Sequence, residues 1–322
     1  MTRTTWVIGS GGLIGRSIAA AMASGTPSGS PFRPSGTVPW GDPDRAVAVL
    51  RTQLAEFARV TRSQSWAIAW AAGAGTVSSD IGAMQAETRT LQGFLAALRE
   101  ATPDGPGALL LASSAGGLYG GCPDPPFDET DEPRPISAYG IEKLRQEDLA
   151  RMAAAGRLTL ILARFSNVYG PHQNLAKSQG LISRLALAAV TRQPVNLFVP
   201  LDTIRDYIHV DDAAAAAARW LDLAVERAIA RTAPEAEVRI IASGRATTVA
   251  ELVGIASDIA RRRIPVAMGT HASARLQAPD LRFIPSAPPG ERLPSMSLPV
   301  GIKTVVDAVL RQQQHGATVA VG

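Results

Sequence analysis

The chain has 322 residues, of which 46% are hydrophobic and 19% are charged, a balance typical of globular proteins and not of disordered ones. Its formal net charge is +4 at pH 7, and its arginines are spread along the chain, which excludes the clustered basic surface of a nucleic-acid-binding protein. A single cysteine excludes a disulfide framework and a thiolate metal cluster, and the four histidines are too widely spaced to form a metal-binding motif, so we predict no metal.

The N-terminus and the hydropathy of the chain bear on its location. Residues Met1–Trp6 lead directly into a predicted strand, so we expect no signal peptide. No apolar run approaches the roughly 20 residues that a membrane span needs, and Ala213–Ala218 is typical of a helix interior. These features predict a cytoplasmic protein with no membrane partner.

The N-terminal segment combines a strand, a glycine turn and a helix. Trp6–Ile8 predict a short buried strand, and Arg16–Ser24 predict a helix. Between them stand Gly9, Gly12 and Gly15, which let the backbone approach a pyrophosphate, while the helix N-terminus offers N–H groups to it. This order predicts a dinucleotide site, and an ordinary glycine-rich turn is the alternative.

The second strand is predicted at Thr37–Trp40, after a loop rich in Gly, Ser and Pro. A dinucleotide site usually has an acidic residue at the end of this strand to bind the adenosine ribose. Asp42 follows two residues after Trp40, where it would either bind the ribose or begin the helix predicted at 44–62. The choice between NAD and NADP therefore stays open.

Strands and helices alternate up to residue 165, which predicts an α/β fold with a doubly wound parallel sheet. The predicted segments are strands at 66–70, 109–112 and 158–163 and helices at 84–100 and 139–155. Later in the chain we predict a helix at 180–192 and a second helix that the 205–212 segment opens and that runs to 230. A strand at 238–242, a helix that begins at 248 and a final helix at 301–313 follow. We therefore predict a dinucleotide-binding domain at 1–171, with a sheet completed by parts of 200–245, and a smaller C-terminal α/β substrate-binding region at 172–322.

Tyr139 and Lys143 are four residues apart in a predicted helix, so they lie on one helix face. A tyrosine has a pKa near ~10 in isolation, and an ammonium beside it favours the phenolate. Such a tyrosine can act as an acid or a base at neutral pH. The spacing alone recurs by chance, so its meaning depends on the rest of the chain.

Five motifs follow one another along the chain. They are Gly9-x-x-Gly12-x-x-Gly15, Ser113-Ser114 with Leu118-Tyr119-Gly120, Tyr139-x-x-x-Lys143, Arg164-x-x-Asn167-Val168-Tyr169-Gly170-Pro171, and Arg205-Asp206-Tyr207-Ile208-His209-Val210-Asp211-Asp212. Together they resemble the extended short-chain dehydrogenase/reductases, and within these the nucleotide-sugar epimerase/dehydratase family. The resemblance covers about residues 6–255 and implies a Rossmann fold with NAD as cofactor, NADP not being excluded.

The resemblance implies a role for each matched residue. Tyr139 would exchange a proton with a sugar hydroxyl, Ser114 would bond the same hydroxyl, and Lys143 would hold the nicotinamide ribose and lower the pKa of Tyr139. The nucleotide diphosphate of the substrate would contact Asn167 and Arg205. The alternatives are a backbone hydrogen bond for Asn167 and a surface ion pair with the neighbouring Asp206 for Arg205. The other residues implied to bind the cofactor are Gly9, Gly12, Leu13, Ile14, Gly15, Ala72 and Phe165.

Departures from the family pattern narrow the predicted reaction. Dehydratases of the family carry Thr-Asp-Glu before Val-Tyr-Gly, whereas this chain has Ala115-Gly116-Gly117 and so lacks the acid and base for elimination. Counting back from Leu118 also places Ala115 where many members carry the catalytic serine. The family has a Ser-Ser-Gly-Gly variant of this motif with the same length, and in that variant Ser114 is the candidate. Glu87 stands where the family usually has asparagine.

The predicted function is therefore a nucleotide-sugar C4 epimerase, in which Tyr139 moves the proton and a nicotinamide moves the hydride. The alternatives are a 4-keto-sugar reductase or dehydrogenase with the same residues, and a non-catalytic dinucleotide-sensing protein. The predicted partners are a nucleotide-diphosphate sugar and a second copy of the chain, paired through the helix after Gly82 and the Tyr139 helix. The apolar residues of the latter would support the pairing or face the chain's own sheet; they are Ile141, Leu144, Leu149 and Met152.

Overall fold

Helices and strands alternate through most of the chain in a computed structural model that describes residues 3–24, 30–77, 79–173, 180–232, 236–269, 277–289, 291 and 296–319. The strands are β1 (Arg3–Ile8), β2 (Ser30–Pro31), β3 (Ser65–Trp70), β4 (Gly107–Ser114), β5 (Thr159–Phe165), β6 (Asn167–Tyr169), β7 (Val195–Leu197), β8 (Ile204–His209), β9 (Ala236–Ile241), β10 (Ala246–Thr248), β11 (Val266–Met268) and β12 (Asp280–Leu281). The helices are α1 (Leu13–Ser24), α2 (Pro43–Val60), α3 (Ile81–Glu100), α4 (Ala115–Leu118), α5 (Ala138–Ala154), α6 (Leu181–Thr191), α7 (Val210–Ile229), α8 (Val249–Ile259) and α9 (Leu298–Val319). Within the described residues, no helix combines the length and apolarity needed to cross a membrane.

The central sheet has six parallel strands in the order β2-β1-β3-β4-β5-β9. Every residue of β3 and β5 is buried, as expected for the central strands of a parallel sheet that is covered on both faces. Successive strands are added on opposite sides of β1, so a crevice opens at the carboxyl ends of β1 and β3. The predicted α/β fold with a doubly wound parallel sheet is confirmed.

Two helical layers cover this sheet. On one face, α2, α3 and α5 pack over an aromatic core that includes Trp6, Phe57, Trp66 and Phe94. On the other face, α1 and α7 pack over the strands, and α7 contributes the buried alanines Ala213, Ala214, Ala216, Ala217 and Ala218. Small side chains let this helix approach the sheet closely, since no bulky group separates the two backbones.

The C-terminal part contributes a second, smaller unit of structure. β8 pairs with β6, β10 and β12, while β7 pairs with β11. A separate apolar core joins α6, α8 and α9. β9 also comes from this part of the chain, yet it completes the central sheet. The division into domains at residue 171 stays a prediction.

Two predicted elements are wrong. The second strand is Ser30–Pro31 rather than Thr37–Trp40, because residues 37–40 leave the sheet through a turn in which the backbone N–H of Asp42 donates to the carbonyl of Pro39. The segment predicted to open a helix at 205 is strand β8 up to His209, and α7 begins at Val210. Its strand conformation depends on pairing with β6 and β10, which lie far from it in the sequence.

Candidate active site

The glycine turn after β1 lies directly against the end of β3. Gly9 has a φ of +88°, and a Cβ atom there would come within 2.5 Å of the backbone nitrogen of Ala72. A Cβ atom on Gly15 would lie 2.8 Å from the carbonyl carbon of Gly9, so both positions require glycine. The N–H of Gly12 donates to the carbonyl of Gly9 at 3.0 Å, and α1 begins at Leu13. The first amides of a helix have no partner within the helix, so this turn fits a pyrophosphate.

A cavity of about 590 Å³ opens beside the glycine turn. It is lined by the turn, by one side of α1 and by residues from 31 to 40, including Arg33 and Trp40, and its volume is in the range of small-molecule sites. Asp42 is not among the lining residues. Its carboxylate caps α2 by accepting a hydrogen bond from the backbone N–H of Arg45 at 3.1 Å. This geometry supports the helix-start interpretation of Asp42, and ribose binding by Asp42 stays a prediction.

Tyr139 and Lys143 lie in the first two turns of α5. The helix begins after Ser137, whose hydroxyl accepts a hydrogen bond from the N–H of Gly140 at 3.1 Å. Lys143 Nζ is 5.9 Å from the centroid of the Tyr139 ring, so the two side chains are neighbours, as their spacing predicts. Lys143 is 7% exposed, and its ammonium donates to Gln146 Oε1 at 3.0 Å.

Ser114 ends β4 and lies beside Tyr139. The Ser114 hydroxyl accepts a hydrogen bond from the N–H of Gly117 at 3.1 Å and caps α4. Burial raises the pKa of Tyr139, hydrogen bonding to Ser114 lowers it, and the nearby carboxylate of Glu87 raises it. The structure therefore brings together the three residues predicted to be catalytic, at the same edge of the sheet as the glycine turn and with the loop after β3 between the two.

Two carboxylates that were not predicted as parts of the site flank this centre, the half-buried Glu87 and the buried Glu147. Burial lowers the pKa of Lys143, whereas the carboxylates of Glu87 and Glu147 raise it. Glu147 accepts hydrogen bonds from Arg164 Nε at 3.1 Å and Nη2 at 2.7 Å. Gln146, the hydrogen-bond acceptor of Lys143, in turn donates to Thr88 Oγ1 on α3 at 3.1 Å. The sequence spacing could have indicated Gln146 and Glu147 as neighbours of Lys143, because positions three and four residues later lie on the same helix face.

The carboxylate of Glu87 anchors the loop that follows β3. Its Oε1 atom accepts hydrogen bonds from the backbone N–H groups of Ala74 at 2.6 Å and Gly75 at 2.8 Å. The sequence marked Glu87 as a departure from the family pattern but did not indicate what it contacts.

The remaining predicted cofactor residues lie at the carboxyl edge of the same sheet. Ala72 follows β3, and Leu13 and Ile14 begin α1 in half-buried positions. Phe165 ends β5, is 3% exposed and belongs to the core on the α1 and α7 side of the sheet, against which Ile14 also packs. Their contact with a cofactor stays a prediction.

Asn167 and Arg205 lie on the paired strands β6 and β8. Asn167 is exposed, and its Nδ2 atom donates to the carbonyl of Asp206 at 2.9 Å, which is the backbone bond considered as an alternative role. Arg205 is 7% exposed and donates to the carbonyl of Ile204 at 2.8 Å. The surface ion pair with Asp206 is wrong, because that carboxylate is buried and accepts hydrogen bonds from Ser166 and Ser243 instead. Substrate binding by Asn167 and Arg205 stays a prediction.

Most of the chain matches a known protein family. The model of the NAD dependent epimerase/dehydratase family matches residues 5–230. A dTDP-L-rhamnose 4-epimerase from Burkholderia thailandensis is 32% identical over 162 residues, which cover 50% of this chain and 39% of that protein. A dTDP-4-dehydro-6-deoxyglucose reductase from Escherichia coli is 33% identical over 107 residues, which cover 32% of this chain and 33% of that protein. The chain thus spans less than half the length of these curated relatives.

Solved structures match the chain over almost its whole length. The UDP-glucose 4-epimerase of Thermus thermophilus in complex with NAD superposes with a TM-score of 0.72 at 21% identity, covering 96% of this chain and 99% of that chain. At this identity the likeness concerns the fold.

Proposed function

The chain belongs to the NAD dependent epimerase/dehydratase family, and from this premise we propose that it is an enzyme that epimerises a nucleotide sugar at C4 with bound NAD. The observation that carries the proposal is the group of Ser114, Tyr139 and Lys143 at the carboxyl end of the sheet, the edge at which the glycine turn also lies. The name of one curated relative supports it, since that protein is a dTDP-L-rhamnose 4-epimerase.

Tyr139 is the group that moves the proton. Its phenolate removes the proton of the C4 hydroxyl, and its phenol returns a proton after the configuration at C4 has changed. Burial alone disfavours the phenolate, so the positive charge of Lys143 is needed to favour it near neutral pH. Ser114 orients the same sugar hydroxyl by a hydrogen bond.

The glycine turn would hold NAD, because the lack of side chains at Gly9 and Gly15 lets the turn pack tightly against Ala72 and the start of α1, as a dinucleotide site requires. The backbone amides of Leu13 and Ile14 would bind its pyrophosphate, and Lys143 would hold its nicotinamide ribose. When bound, the nicotinamide accepts and returns a hydride.

The segment after Ser114 supports oxidation and reduction rather than loss of water. Ala115–Leu118 forms the short helix α4, which contains no acidic residue. Elimination of water needs a base for a carbon-bound proton and an acid for the leaving hydroxyl. With Gly116 and Gly117 here, this segment supplies neither group.

The second candidate function is a 4-keto-sugar reductase. One relative is named dTDP-4-dehydro-6-deoxyglucose reductase, and the same Ser114, Tyr139 and Lys143 would serve that reaction. The two functions differ in the fate of the cofactor, which an epimerase retains and a reductase consumes with each turnover.

The nucleotide diphosphate of the substrate would lie against Asn167 and Arg205, because a guanidinium suits a phosphate.

We further propose a homodimer through α3 and α5. Ile141 is 53% exposed and Met152 is 68% exposed, so these two side chains are available to a partner and do not face the chain's own sheet. Sedimentation of the wild-type chain and of Ile141→Glu tests this dimer.

The epimerase proposal is tested by turnover with substoichiometric NAD. The purified chain is incubated with UDP-glucose or with a dTDP-6-deoxy sugar, and NMR spectroscopy follows inversion at C4. Tyr139→Phe should lower turnover by at least ~10²-fold while NAD binding, measured by calorimetry, is retained. Consumption of reduced nicotinamide in step with a 4-keto sugar would favour the reductase. Nucleotide binding without either reaction would contradict an enzymatic role.

A further inference from the structure

The ammonium of Lys143 is buried and donates a hydrogen bond to a neutral group. Its side chain is 7% exposed, and the acceptor is the amide oxygen of Gln146. A charged ammonium is costly in a protein interior unless an opposite charge lies close to it. The state of Lys143 therefore depends on which carboxylate supplies that charge.

Glu147 is close to Lys143 but is already paired. It lies one helical turn after Lys143 and forms a two-point ion pair with Arg164, in which both side chains are almost fully buried. A guanidinium held in this way neutralises most of the carboxylate charge. Glu142, the residue before Lys143, lies 3.7 Å from the guanidinium of Arg145.

Glu87 approaches Lys143 from α3. A Cβ atom on Gly73 would lie 3.2 Å from Glu87 Oε2 and 3.7 Å from Lys143 Nζ, so the two charged groups flank the same small volume. The other carboxylate oxygen, Oε1, is held by the backbone N–H groups of Ala74 and Gly75. These two hydrogen bonds orient the carboxylate and keep Oε2 on the side of Gly73.

We propose that Glu87 is a positioning residue that acts as the counter-ion of Lys143, keeping this lysine charged while fixing the loop after β3 against it. A neutral amide at this position could accept the same two backbone hydrogen bonds but would supply no charge. The charge, rather than the hydrogen bonding, is therefore the property to test.

The other elements packed on this part of α5 supply no competing free charge in the described residues. β4 and α4 present the neutral Ser114 and Gly117, and β5 presents Arg164, which is paired with Glu147. The carboxylate of Glu87 raises the pKa of Lys143 because it favours the ammonium, and it raises the pKa of Tyr139 because it disfavours the phenolate. Removal of the Glu87 charge should therefore lower both pKa values.

The test uses the small number of lysines in the chain. Lys143, Lys177 and Lys303 are the only three in the sequence, so a chain labelled with isotopic lysine gives three side-chain NMR signals, and Lys143→Arg assigns one of them. The signal of Lys143 is followed against pH in the full-length wild-type chain and in Glu87→Gln. Glu100→Gln is the matched control, because Glu100 is an exposed carboxylate on the same helix, paired with Arg51.

We expect Lys143 to lose its proton at lower pH in Glu87→Gln than in the wild type, while Lys303 is unchanged and Glu100→Gln matches the wild type. Titration of Lys143 at the same pH in wild type and Glu87→Gln would overturn the proposal. If Glu87→Gln does not fold by circular dichroism, Glu87→Asn, which also keeps an acceptor oxygen, takes its place in the same comparison.

The effect on turnover rests on the proposed function, whereas the lysine titration does not. If the chain epimerises nucleotide sugars, the whole pH range of turnover should move to lower pH in Glu87→Gln, since both pKa values fall. If no sugar is turned over, the proposed function fails, but the NMR titration still decides the role of Glu87.

Discussion

The aromatic ring of Tyr139 packs directly on the backbone of Gly117, where a Cβ atom would come within 2.8 Å of Cε1 and 3.0 Å of Cδ1. We predict that Gly117→Ala displaces this ring and lowers turnover, by about 100-fold for a shift near 1 Å. Gly116→Ala is the control, because a Cβ atom there would meet Leu281 at an ordinary 3.8 Å. Steady-state turnover of the two variants checks the prediction, and equal rates would contradict it.

The ion pair between Arg164 and Glu147 is buried, with side-chain exposures of 3% and 1%. Arg164→Ala should destabilise the fold by about 3–5 kcal/mol, because it leaves the Glu147 carboxylate buried and unpaired. Arg51→Ala, which breaks an exposed pair with Glu100, should cost about 0–1 kcal/mol. Urea denaturation of both variants measures the difference, and similar losses would show that burial of the pair does not matter.

Asp42 and Asp80 begin α2 and α3 in the same way, each accepting a hydrogen bond from a backbone N–H three residues later. Asp42→Ala and Asp80→Ala should therefore each reduce the free energy of unfolding by about 1 kcal/mol. Because Asp42 does not line the cavity beside the glycine turn, its variant should bind NAD as the wild type does. A marked loss of NAD affinity in calorimetry would instead support ribose binding by Asp42.

Arg33 lines the same cavity and follows β2 by two residues. A guanidinium is well suited to a 2′-phosphate, which NADP carries and NAD lacks. Arg33→Ala should weaken NADP binding about tenfold, the equivalent of one charge-assisted hydrogen bond, and leave NAD binding unchanged. Equal losses for the two dinucleotides would show that Arg33 does not contact the 2′ position.

His209 is 2% exposed, and burial lowers its pKa below the ordinary value of 6.5. The unfolded chain takes up a proton near 6.5 while the folded chain does not, so stability is lost as the pH falls from 6.5 towards the folded pKa. His209→Asn, which cannot take up this proton, should remove that part of the pH dependence. Urea denaturation of the wild type and of His209→Asn, above and below pH 6.5, measures the free energy of unfolding of each. The same change of this free energy with pH in both chains would contradict the prediction.

Local patterns were sufficient to predict the beginning of the fold. The apolar run of β1, the glycines of the turn and the start of α1 are adjacent in the sequence, and their conformations depend mainly on neighbouring residues. The spacing of Tyr139 and Lys143 likewise predicted that they share a helix face, and the structure places them side by side.

Strands that depend on distant partners were not predictable in the same way. β2 has only two residues, and its place is decided by pairing with Thr4 and Thr5 of β1. β8 is a strand because β6 and β10 pair with it, whereas its own sequence runs without a break into α7. Backbone pairing across such distances leaves little mark on the local sequence.

The sequence by itself determined that Tyr139 and Lys143 share one face of a helix, because helical periodicity is a local property. Only the tertiary structure decided that this helix buries a polar face, with Lys143, Gln146 and Glu147 inward while Ile141 is exposed. The physical reason is that a buried charge needs partners, and other elements supply them. Arg164 on β5 pairs with Glu147, while α3 provides Thr88, which accepts a hydrogen bond from Gln146, and Glu87, which lies near Lys143.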